Sequence, residues 1–381
     1  MINDAEVSYC QNDPTLEALV SGDLLFTRVG MNVGDCAVIY DLENALYSDN
    51  TIKVTLKTLN PFFVGVYFNT KFGVKLVKRV AKGTAQPVVS RENFEHIKVP
   101  VPNVEISEKV EVLVKDAYRL SRQSAKLYPE AEQELLERME WGKVKTDHIL
   151  NYTPTSKDIL SDERLDPEFY QPKFENMEKH LKKIGAVKLG DFCPMPSRGV
   201  QPQYDEKGEV SVINSKHPGP TEIDIDNAEK TTGAFYTDEI NAKARIKKHD
   251  VLMYSTGAYV GRTNAFLHDK KALASNHVTI IRPDARVCDP IFLALFLNSP
   301  AGLMQTDQRA SGSAQREIYP QEIAKYQVFI SRDKNGKPDL AWQKKLAEKI
   351  IAANEAKKSA KQKLQEAKQL VEKEIEKMLK A

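Results

Sequence analysis

Two stretches of the sequence decide the fold because they are nearly the same: DLLFTRVGMNVG at 23–34 and DVLMYSTGAYVG at 250–261. Their Asp, Leu, Gly, Val and Gly positions match at a constant offset of 227. Further matches follow at an offset of 229, pairing Pro61 with Pro290, Phe63 with Phe292, Asn69 with Asn298, Gly73 with Gly302, Gly83 with Gly312 and Gln86 with Gln315. A register kept over this length predicts an internal repeat, in which one structural unit is built twice.

Each copy is followed by a long charged segment without glycine, 105–141 after the first copy and 340–381 after the second. Apolar residues in these segments follow the spacing of a coiled-coil seam. We assign to this seam Val110, Leu113, Leu120 and Leu127 of the first segment and Leu346, Ile350, Leu364 and Val371 of the second. The matching places of the two segments favour two long antiparallel helices that form a coiled coil. Two independent amphipathic surface helices are the alternative.

The second copy mixes strand patterns with helix patterns. Strands are predicted at Val210–Ile213, Val251–Tyr254, Val278–Ile281 and Tyr326–Ile330, and helices at Pro172–Lys183 and Pro290–Leu297. This mixture predicts an α+β fold with two similar mixed α/β domains. The predicted organisation is a first domain over 1–104, a first long helix over 105–141, a linker over 142–163, a second domain over 164–339 and a second long helix over 340–381.

The composition excludes several classes of protein. With 41% apolar and 28% charged positions, a chain of 381 residues is neither disordered nor fibrous. Its 55 Lys and Arg nearly balance 53 Asp and Glu, so the overall charge indicates no particular partner. The four cysteines, Cys10, Cys36, Cys193 and Cys288, form no Cys-x-x-Cys pair, which argues against a zinc ribbon and a disulfide framework. Because no signal peptide and no apolar run of membrane-spanning length is present, we expect a soluble cytoplasmic protein without a membrane partner.

The sequence contains no phosphate loop, dinucleotide fingerprint, nucleophile elbow or metalloprotease motif, so we expect neither catalysis nor a cofactor or metal. Asn60-Pro61-Phe62-Phe63 resembles the Asn-Pro-Pro-Tyr/Phe loop of adenine methyltransferases, but its second proline is missing. The other copy reads Asp289-Pro290-Ile291-Phe292. We therefore interpret Asn60 and Asp289 as helix N-caps that are followed by proline at the first helical position.

Polar loops that contain glycine lie at equivalent places in both copies. Their side chains are of the types that contact base edges and phosphates. The predicted DNA-binding residues are Arg28, Asn32, Arg79, Lys82, Thr84 and Gln86 in the first copy, and Arg198, Gln201, Gln203, Tyr204, Ser255, Thr256, Tyr259, Arg262, Arg309, Ser311, Ser313, Gln315 and Arg316 in the second. Two similar loop surfaces on a rigid helix pair predict a bivalent protein, which touches either two sites on DNA or two sites on another partner.

The ordered set of motifs resembles the specificity (S) subunit of type I restriction-modification systems. In the second copy these motifs are RLDPEFY at 164–170, DVLM at 250–253, SNH at 275–277 and SGSAQ at 311–315, and a long helix follows them. The first copy repeats the later part with GDLL at 22–25, GTAQ at 83–86 and IKVPVP at 97–102. The resemblance covers essentially the whole chain.

The resemblance implies two target recognition domains, each of which reads one half of a bipartite sequence in double-stranded DNA. It also implies a non-catalytic subunit that docks two modification subunits, which methylate adenine, and in the full assembly restriction subunits. Residues 164–227 have no counterpart in the first copy, so we expect a truncated first domain that another chain completes or that is degenerate. The alternative function is a bivalent coiled-coil scaffold or a degenerate relative without independent DNA specificity; an autonomous methyltransferase or nuclease is a third interpretation.

Overall fold

A computed structural model gives the fold of the chain. It describes residues 17–42, 45–83, 86–153, 155, 164–214, 223, 225, 227–312 and 315–380. The chain divides into two compact units, Met1–Ser124 with Glu355–Ala381 and Ala125–Asn354. Helices and strands are mixed in both units, which confirms the predicted α+β class.

The first unit contains one antiparallel sheet and its helices. The strands β1 (Leu24–Thr27), β2 (Cys36–Val38) and β3 (Thr51–Val54) pair in the order β2-β1-β3. The helices that follow are α1 (Pro61–Phe68), α2 (Lys71–Val80), α3 (Arg91–Glu95) and the first part of α4 (Val104–Arg138). Aromatic side chains of β1 and α1, among them Phe26 and Phe63, form the buried core.

The second unit contains more strands. They are β4 (Val187–Lys188), β5 (Ser197–Arg198), β6 (Val210–Ile213), β7 (Lys230–Thr231), β8 (Arg245–Ile246), β9 (Val251–Tyr254), β10 (Thr263–Ala265), β11 (Ala272–Ala274), β12 (Val278–Ile281) and β13 (Gln327–Val328). Their helices are α5 (Pro172–Lys183), α6 (Gly233–Thr237), α7 (Pro290–Asn298), α8 (Pro300–Arg309) and α9 (Pro320–Ile323), and the chain continues into α10 (Leu340–Met378). The sheets have the orders β10-β9-β12-β5, β7-β6-β11-β8 and β13-β4.

The internal repeat is present in the structure as the same order of elements. At an offset of 227, strands β1, β2 and β3 coincide with β9, β10 and β12. At an offset of 229, helices α1, α2 and α3 begin where α7, α8 and α9 begin. The predicted strands Val210–Ile213, Val251–Tyr254 and Val278–Ile281 and the predicted helix Pro172–Lys183 have the observed bounds, whereas the predicted strand Tyr326–Ile330 is shortened to β13.

The N-cap interpretation is confirmed in both copies. The side chain of Asn60 accepts hydrogen bonds from the backbone N–H groups of Phe62 (2.9 Å) and Phe63 (3.2 Å). Asp289 does the same for Ile291 (2.8 Å) and Phe292 (3.1 Å). Proline follows each cap because its missing N–H is not needed in the first helical turn. The two caps start apolar helices that are buried on nearly all sides.

The two long helices pack against each other as an antiparallel coiled coil, as predicted. In the first unit, Val110 and Val114 of α4 belong to the same core as Ala367 and Val371 of α10, and Lys363 Nζ donates to Asp116 (3.0 Å). In the second unit, the end of α4 shares a core with early residues of α10. Ala131 and Leu135 of α4, and Met139 directly after it, are grouped with Trp342, Leu346 and Ile350. Early residues of one helix therefore meet late residues of the other.

The predicted seam residues differ in burial. Val110, Leu346, Ile350 and Val371 are buried, and Leu113 and Leu364 are half-buried against the first core. Leu120 and Leu127 are also half-buried. The buried stripe of α4 also includes Val114 and Leu135.

Several predicted features lie partly or wholly outside the described residues. These are Cys10, Thr84, Ser313 and much of the predicted linker, of which residues 154 and 156–163 are not described. Among the helices that the structure describes, none is both long and apolar enough to cross a lipid bilayer.

Candidate nucleic-acid interface

In each copy two loops are held side by side by the same backbone hydrogen bonds. We call residues 27–34 and 82–88 the first loop pair, and residues 254–261 and 311–317 the second loop pair. The Gly30 N–H donates to the carbonyl of Pro87 (3.0 Å), and at the equivalent place the Gly257 N–H donates to the carbonyl of Arg316 (2.9 Å). Lys82 and Val88 exchange two backbone bonds of 2.9 and 2.8 Å, as Ser311 and Glu317 do at 2.8 Å each. The two loop pairs therefore share one backbone frame.

A glycine is required at one turn of each loop pair. Gly83 and Gly312 have φ values of +98° and +91°, a conformation that side chains strongly disfavour. A Cβ atom would lie 2.8 Å from the carbonyl oxygen of Gln86 in the first pair and 2.4 Å from that of Gln315 in the second. Because the obstacle is backbone in both cases, the loop would have to move to accept a side chain.

The predicted residues in and beside the first loop pair are mostly exposed to solvent. Asn32, Arg79, Lys82 and Gln86 are exposed. Arg28 is half-buried, and its Nη1 donates to the carbonyl of Asp49 (3.3 Å). The exposed set combines two amides, a side-chain type suited to adenine edges, with two cations, a type suited to phosphates.

The predicted residues in and beside the second loop pair divide into exposed and covered positions. Gln201, Gln203, Tyr204, Tyr259, Ser311 and Gln315 are exposed, and Arg262 and Arg316 are half-buried. Ser255 and Thr256 are buried, so neither side chain reaches the surface in this conformation. Among the predicted residues of the second copy, the exposed ones are therefore mainly amides and tyrosines.

The Arg198 side chain contacts both loops of the second loop pair. Its guanidinium donates to the carbonyl of Asn276 (2.6 Å) and to Thr256 Oγ1 (3.0 Å), and it forms an ion pair with Glu317. Thr256 and Glu317 come from the two loops of the pair. Since the equivalent positions in the first copy are Val29 and Val88, this connection belongs to the second copy.

Two further arginines of the second copy are engaged by carboxylates. Arg309 has a side chain that is only 14% exposed and lies 3.1 Å from Glu178 and 3.4 Å from Glu322. Arg316 lies 2.7 Å from Asp307 and is more open to solvent. The charge of Arg309 is therefore compensated inside the unit, and that of Arg316 is compensated at its surface.

The described residues offer no metal-binding cluster. Among them, no three His, Cys, Asp or Glu side chains are grouped so that they could hold a metal ion. Burial raises the pKa of the Cys36 thiol, and it raises that of Cys193 to about 12, so both thiols are protonated at neutral pH. The arrangement suits binding through exposed polar side chains on a rigid loop frame.

Sequence reasoning missed the polar contacts that hold the repeat together. The Asn69 side chain donates to the carbonyls of Cys36 and Gly65 (2.8 Å each), which ties α1 to β2. Asn298 donates in the same way to Thr263 (2.7 Å) and Ala294 (2.8 Å). The sequence did contain a signal for these contacts, namely the asparagine that is identical in both copies of the repeat. Such an identity is more readily explained by a structural role in the shared frame than by chance.

Comparison with known proteins identifies the architecture. No family model matches the chain, and no curated protein is detectably similar in sequence. The crystal structure of a type I restriction-modification system S subunit from M. genitalium superposes with a TM-score of 0.51 and 11% identity, over 94% of this chain and 82% of that one. The chain has the fold of a type I restriction-modification S subunit.

Two other solved structures also match over most of their length. The HsdS subunit from Thermoanaerobacter tengcongensis has 18% identity and a TM-score of 0.31, over 94% of this chain and 81% of that one. A chain of a type I restriction-modification system, solved in a study of its complex assembly and conformational transition, has 16% identity and a TM-score of 0.36, over 95% of this chain and 84% of that one. At the level of the fold, the S-subunit resemblance inferred from the motifs is confirmed by the superposition on the M. genitalium subunit.

Proposed function

We propose that this protein is the DNA sequence-recognition subunit of a type I restriction-modification complex. The observation that carries the proposal is the double occurrence of one loop frame on an S-subunit fold, with different polar side chains on each copy. A protein that reads a bipartite target needs two frames of the same kind with different surface chemistry. The subunit itself has no catalytic role in this proposal.

Each loop pair, together with the residues beside it, reads one half of the target. In the first, Asn32 and Gln86 contact base edges while Arg79 and Lys82 neutralise phosphates. In the second, Gln203, Tyr259 and Gln315 contact bases, and Arg316 contacts either a base or a phosphate. These assignments rest on exposure and on side-chain chemistry.

The partners in this proposal are double-stranded DNA, two modification subunits that methylate adenine, and restriction subunits in the full assembly. The coiled coil is the docking element for the modification subunits. Its support is the exposed, charge-rich outer surface of α4 and α10.

Methylation mapping tests the function. Genomic DNA from cells with and without this gene is compared by single-molecule sequencing, and we expect one bipartite adenine-methylated motif to disappear with the gene. The double variants Asn32→Ala/Gln86→Ala and Tyr259→Ala/Gln315→Ala are each expected to relax a different half of the motif. Lys334→Ala, an exposed change outside both loop pairs, serves as the matched control.

Two results would overturn the proposal. Identical methylation with and without the gene would favour a scaffold or a degenerate relative without DNA specificity. The second result is a set of variants that fold and assemble but leave both halves of the methylated motif unchanged. It would show that the loop pairs do not read DNA, whichever subunit reads the sequence.

A further inference from the structure

The first unit contains an open apolar groove that is separate from its loop pair. The groove encloses about 380 Å³ and lies between β2, α1 and the two long helices. Val38, Tyr40, Phe62 and Val66 line its apolar part, and the long helices contribute residues such as Val114 and Leu364. A groove of this volume has room for one or two aliphatic side chains with their backbone.

The second unit has a cavity at the equivalent place, but there it is almost closed. Its volume is about 20 Å³, and it lies between β10, α7 and the two long helices. Eight lining positions correspond through the repeat, pairing Cys36 with Thr263, Ala37 with Asn264, Val38 with Ala265, Tyr40 with Leu267, Phe62 with Ile291, Gly65 with Ala294, Val66 with Leu295 and Asn69 with Asn298. The two cavities are therefore one site of the repeat, open in one copy and filled in the other.

Ile223 contributes to filling the second cavity. Its side chain is 3% exposed and lines the cavity, and the His268 ring donates from Nε2 to its carbonyl oxygen (3.1 Å). Leu295, which also lines the second cavity, is 1% exposed, whereas the equivalent Val66 in the first copy is half-buried. Ile223 thus lies at the wall of a nearly closed cavity whose equivalent in the first copy is open.

The sequence around Ile223 alternates aliphatic and acidic residues, as Glu222-Ile223-Asp224-Ile225-Asp226. The first groove has the complementary charge, because α10 contributes Lys361 and Lys368 to its lining. At the second cavity α10 contributes uncharged Ile350 and Asn354 instead. An acidic and aliphatic segment matches the first groove in both shape and charge.

We propose that the groove of the first unit binds an extended segment of a separate polypeptide in which aliphatic side chains alternate with carboxylates. One aliphatic side chain occupies the place that Ile223 takes in the second unit, against Phe62 and Val66. Flanking carboxylates pair with Lys361 and Lys368. The proposal concerns a protein contact and does not rest on DNA reading, because none of the groove residues belongs to a loop pair.

A peptide with the sequence of residues 221–228, TEIDIDNA, is the probe. Labelled with a fluorophore at its N-terminus, it is titrated with the full-length protein, and binding is followed by fluorescence anisotropy. We expect saturable binding that Val66→Trp weakens at least about tenfold by filling the groove. We expect a similar loss for Lys361→Glu/Lys368→Glu and no more than a twofold change for the matched control Lys357→Glu/Lys358→Glu, which changes exposed charges on the same helix.

The peptide itself provides the second control. A version with Ile223→Asp keeps the length and the acidic character, and we expect it not to bind. Equal binding of both peptides would reduce the contact to charge alone and overturn the proposal. So would absence of saturable binding by the folded wild-type protein up to millimolar peptide.

The oligomeric state distinguishes another occupant. If a second copy of this chain filled the groove, the protein would dimerise in sedimentation experiments and Lys361→Glu/Lys368→Glu would abolish the dimer, a result that would overturn the proposal. Since the charge changes are on exposed or half-buried lysines, the variants are expected to fold, which thermal unfolding verifies. Methylation mapping of the same variants separates the failure of this proposal from that of DNA reading.

Discussion

The two loop pairs have the same backbone and different side chains. Both are held by equivalent hydrogen bonds between main-chain atoms, and both need glycine at the same turn. Around this frame the charge differs, because Lys78, Arg79 and Lys82 of the first copy correspond to Asp307, Gln308 and Ser311 of the second. This difference indicates that positions identical in both copies build the backbone frame, and that positions which differ provide the surface chemistry.

The same comparison applies to the asparagine that ties strand to helix. Asn298 is buried, and its Oδ1 also accepts a hydrogen bond from the Thr263 N–H (3.0 Å). Asn69 makes the same two donor contacts but is exposed next to the open groove. Equivalent hydrogen bonds are therefore made in two different environments, which allows the effect of burial to be measured within one protein.

The largest expected effect comes from removing these asparagines. Asn298→Ala should destabilise the second unit by about 3 kcal/mol because it leaves buried carbonyl and N–H groups without partners. Asn69→Ala should cost about 1 kcal/mol because water in the groove can replace the lost donor. Chemical unfolding, followed by a probe in each unit, measures both values. Asn32→Ala, an exposed loop change, is the control, and equal losses for Asn69 and Asn298 would contradict the role of burial.

The next effect comes from the glycine turns. Gly83→Ala and Gly312→Ala should each destabilise their loop pair by about 2 kcal/mol, because a positive φ and a backbone clash act together. Gly336→Ala is the matched control, since Gly336 also has a positive φ of +75° but no atom within 4 Å of the added Cβ. It should cost about 1 kcal/mol. Hydrogen exchange of the loop amides gives the local stability, and an equal effect at all three sites would show that the clash is unimportant.

DNA affinity provides a comparison of the two surfaces. Arg79→Ala/Lys82→Ala should weaken binding by about 1 kcal/mol for every sequence and reduce the steepness of the log–log salt dependence by about 2, since each phosphate contact contributes about 0.9. Anisotropy titrations over a range of salt, with the modification subunits present, measure both quantities. The exposed change Lys334→Ala should alter neither. A loss that depends on the DNA sequence would assign these cations to base reading instead.

The smallest expected effect on stability comes from an electrostatic interaction between α4 and α10 in the second unit. Hydrogen bonds from Lys345 and Lys349 lower the pKa of Glu134 to about 2, although its burial acts in the opposite direction. Because the folded pKa is lower than the unfolded value near 4.3, the stabilisation is complete above about pH 5 and is lost as the pH falls towards 2. After allowance for solvent screening it is about 1 kcal/mol.

Glu134→Gln measures this contribution by unfolding at several pH values. The variant should be less stable than wild type at pH 7 and equally stable near pH 2. In the first unit, Lys363 lowers the pKa of Asp116, so Asp116→Asn should show the same direction of pH dependence. A difference for Glu134→Gln that persists unchanged at pH 2 would attribute the loss to packing.

Much of the frame could be predicted from the sequence because it depends on local signals. The N-caps at Asn60 and Asp289, the apolar run of β9 and the matching registers all follow from residues that are close in the chain. The two-residue strands, such as β5 and β8, could not be predicted, since their pairing depends on partners far away in sequence. The seam also shifts along α4, because a heptad pattern drifts relative to the 3.6-residue period of a straight helix.

The predicted interface was harder to infer because side-chain burial is a tertiary property. A polar loop sequence gives no indication that Ser255 is covered. It also gives no indication that Glu178, which lies 131 residues from Arg309 in sequence, compensates that arginine. The exposed set could be selected only when the packing of α5 and β5 was known.

The backbone bonds of the loop pairs have a consequence for how this surface can change over generations. The loops are held in place by backbone N–H and carbonyl groups, which almost every residue has. Exposed side chains at the loop tips can therefore be replaced by amides, hydroxyls or cations with little loss of stability. The turn glycines are constrained, and in the second copy so are Thr256 and Glu317, which Arg198 contacts. Such an architecture tolerates rapid divergence at its tips, so new binding preferences can arise by single substitutions while the protein remains folded at every step.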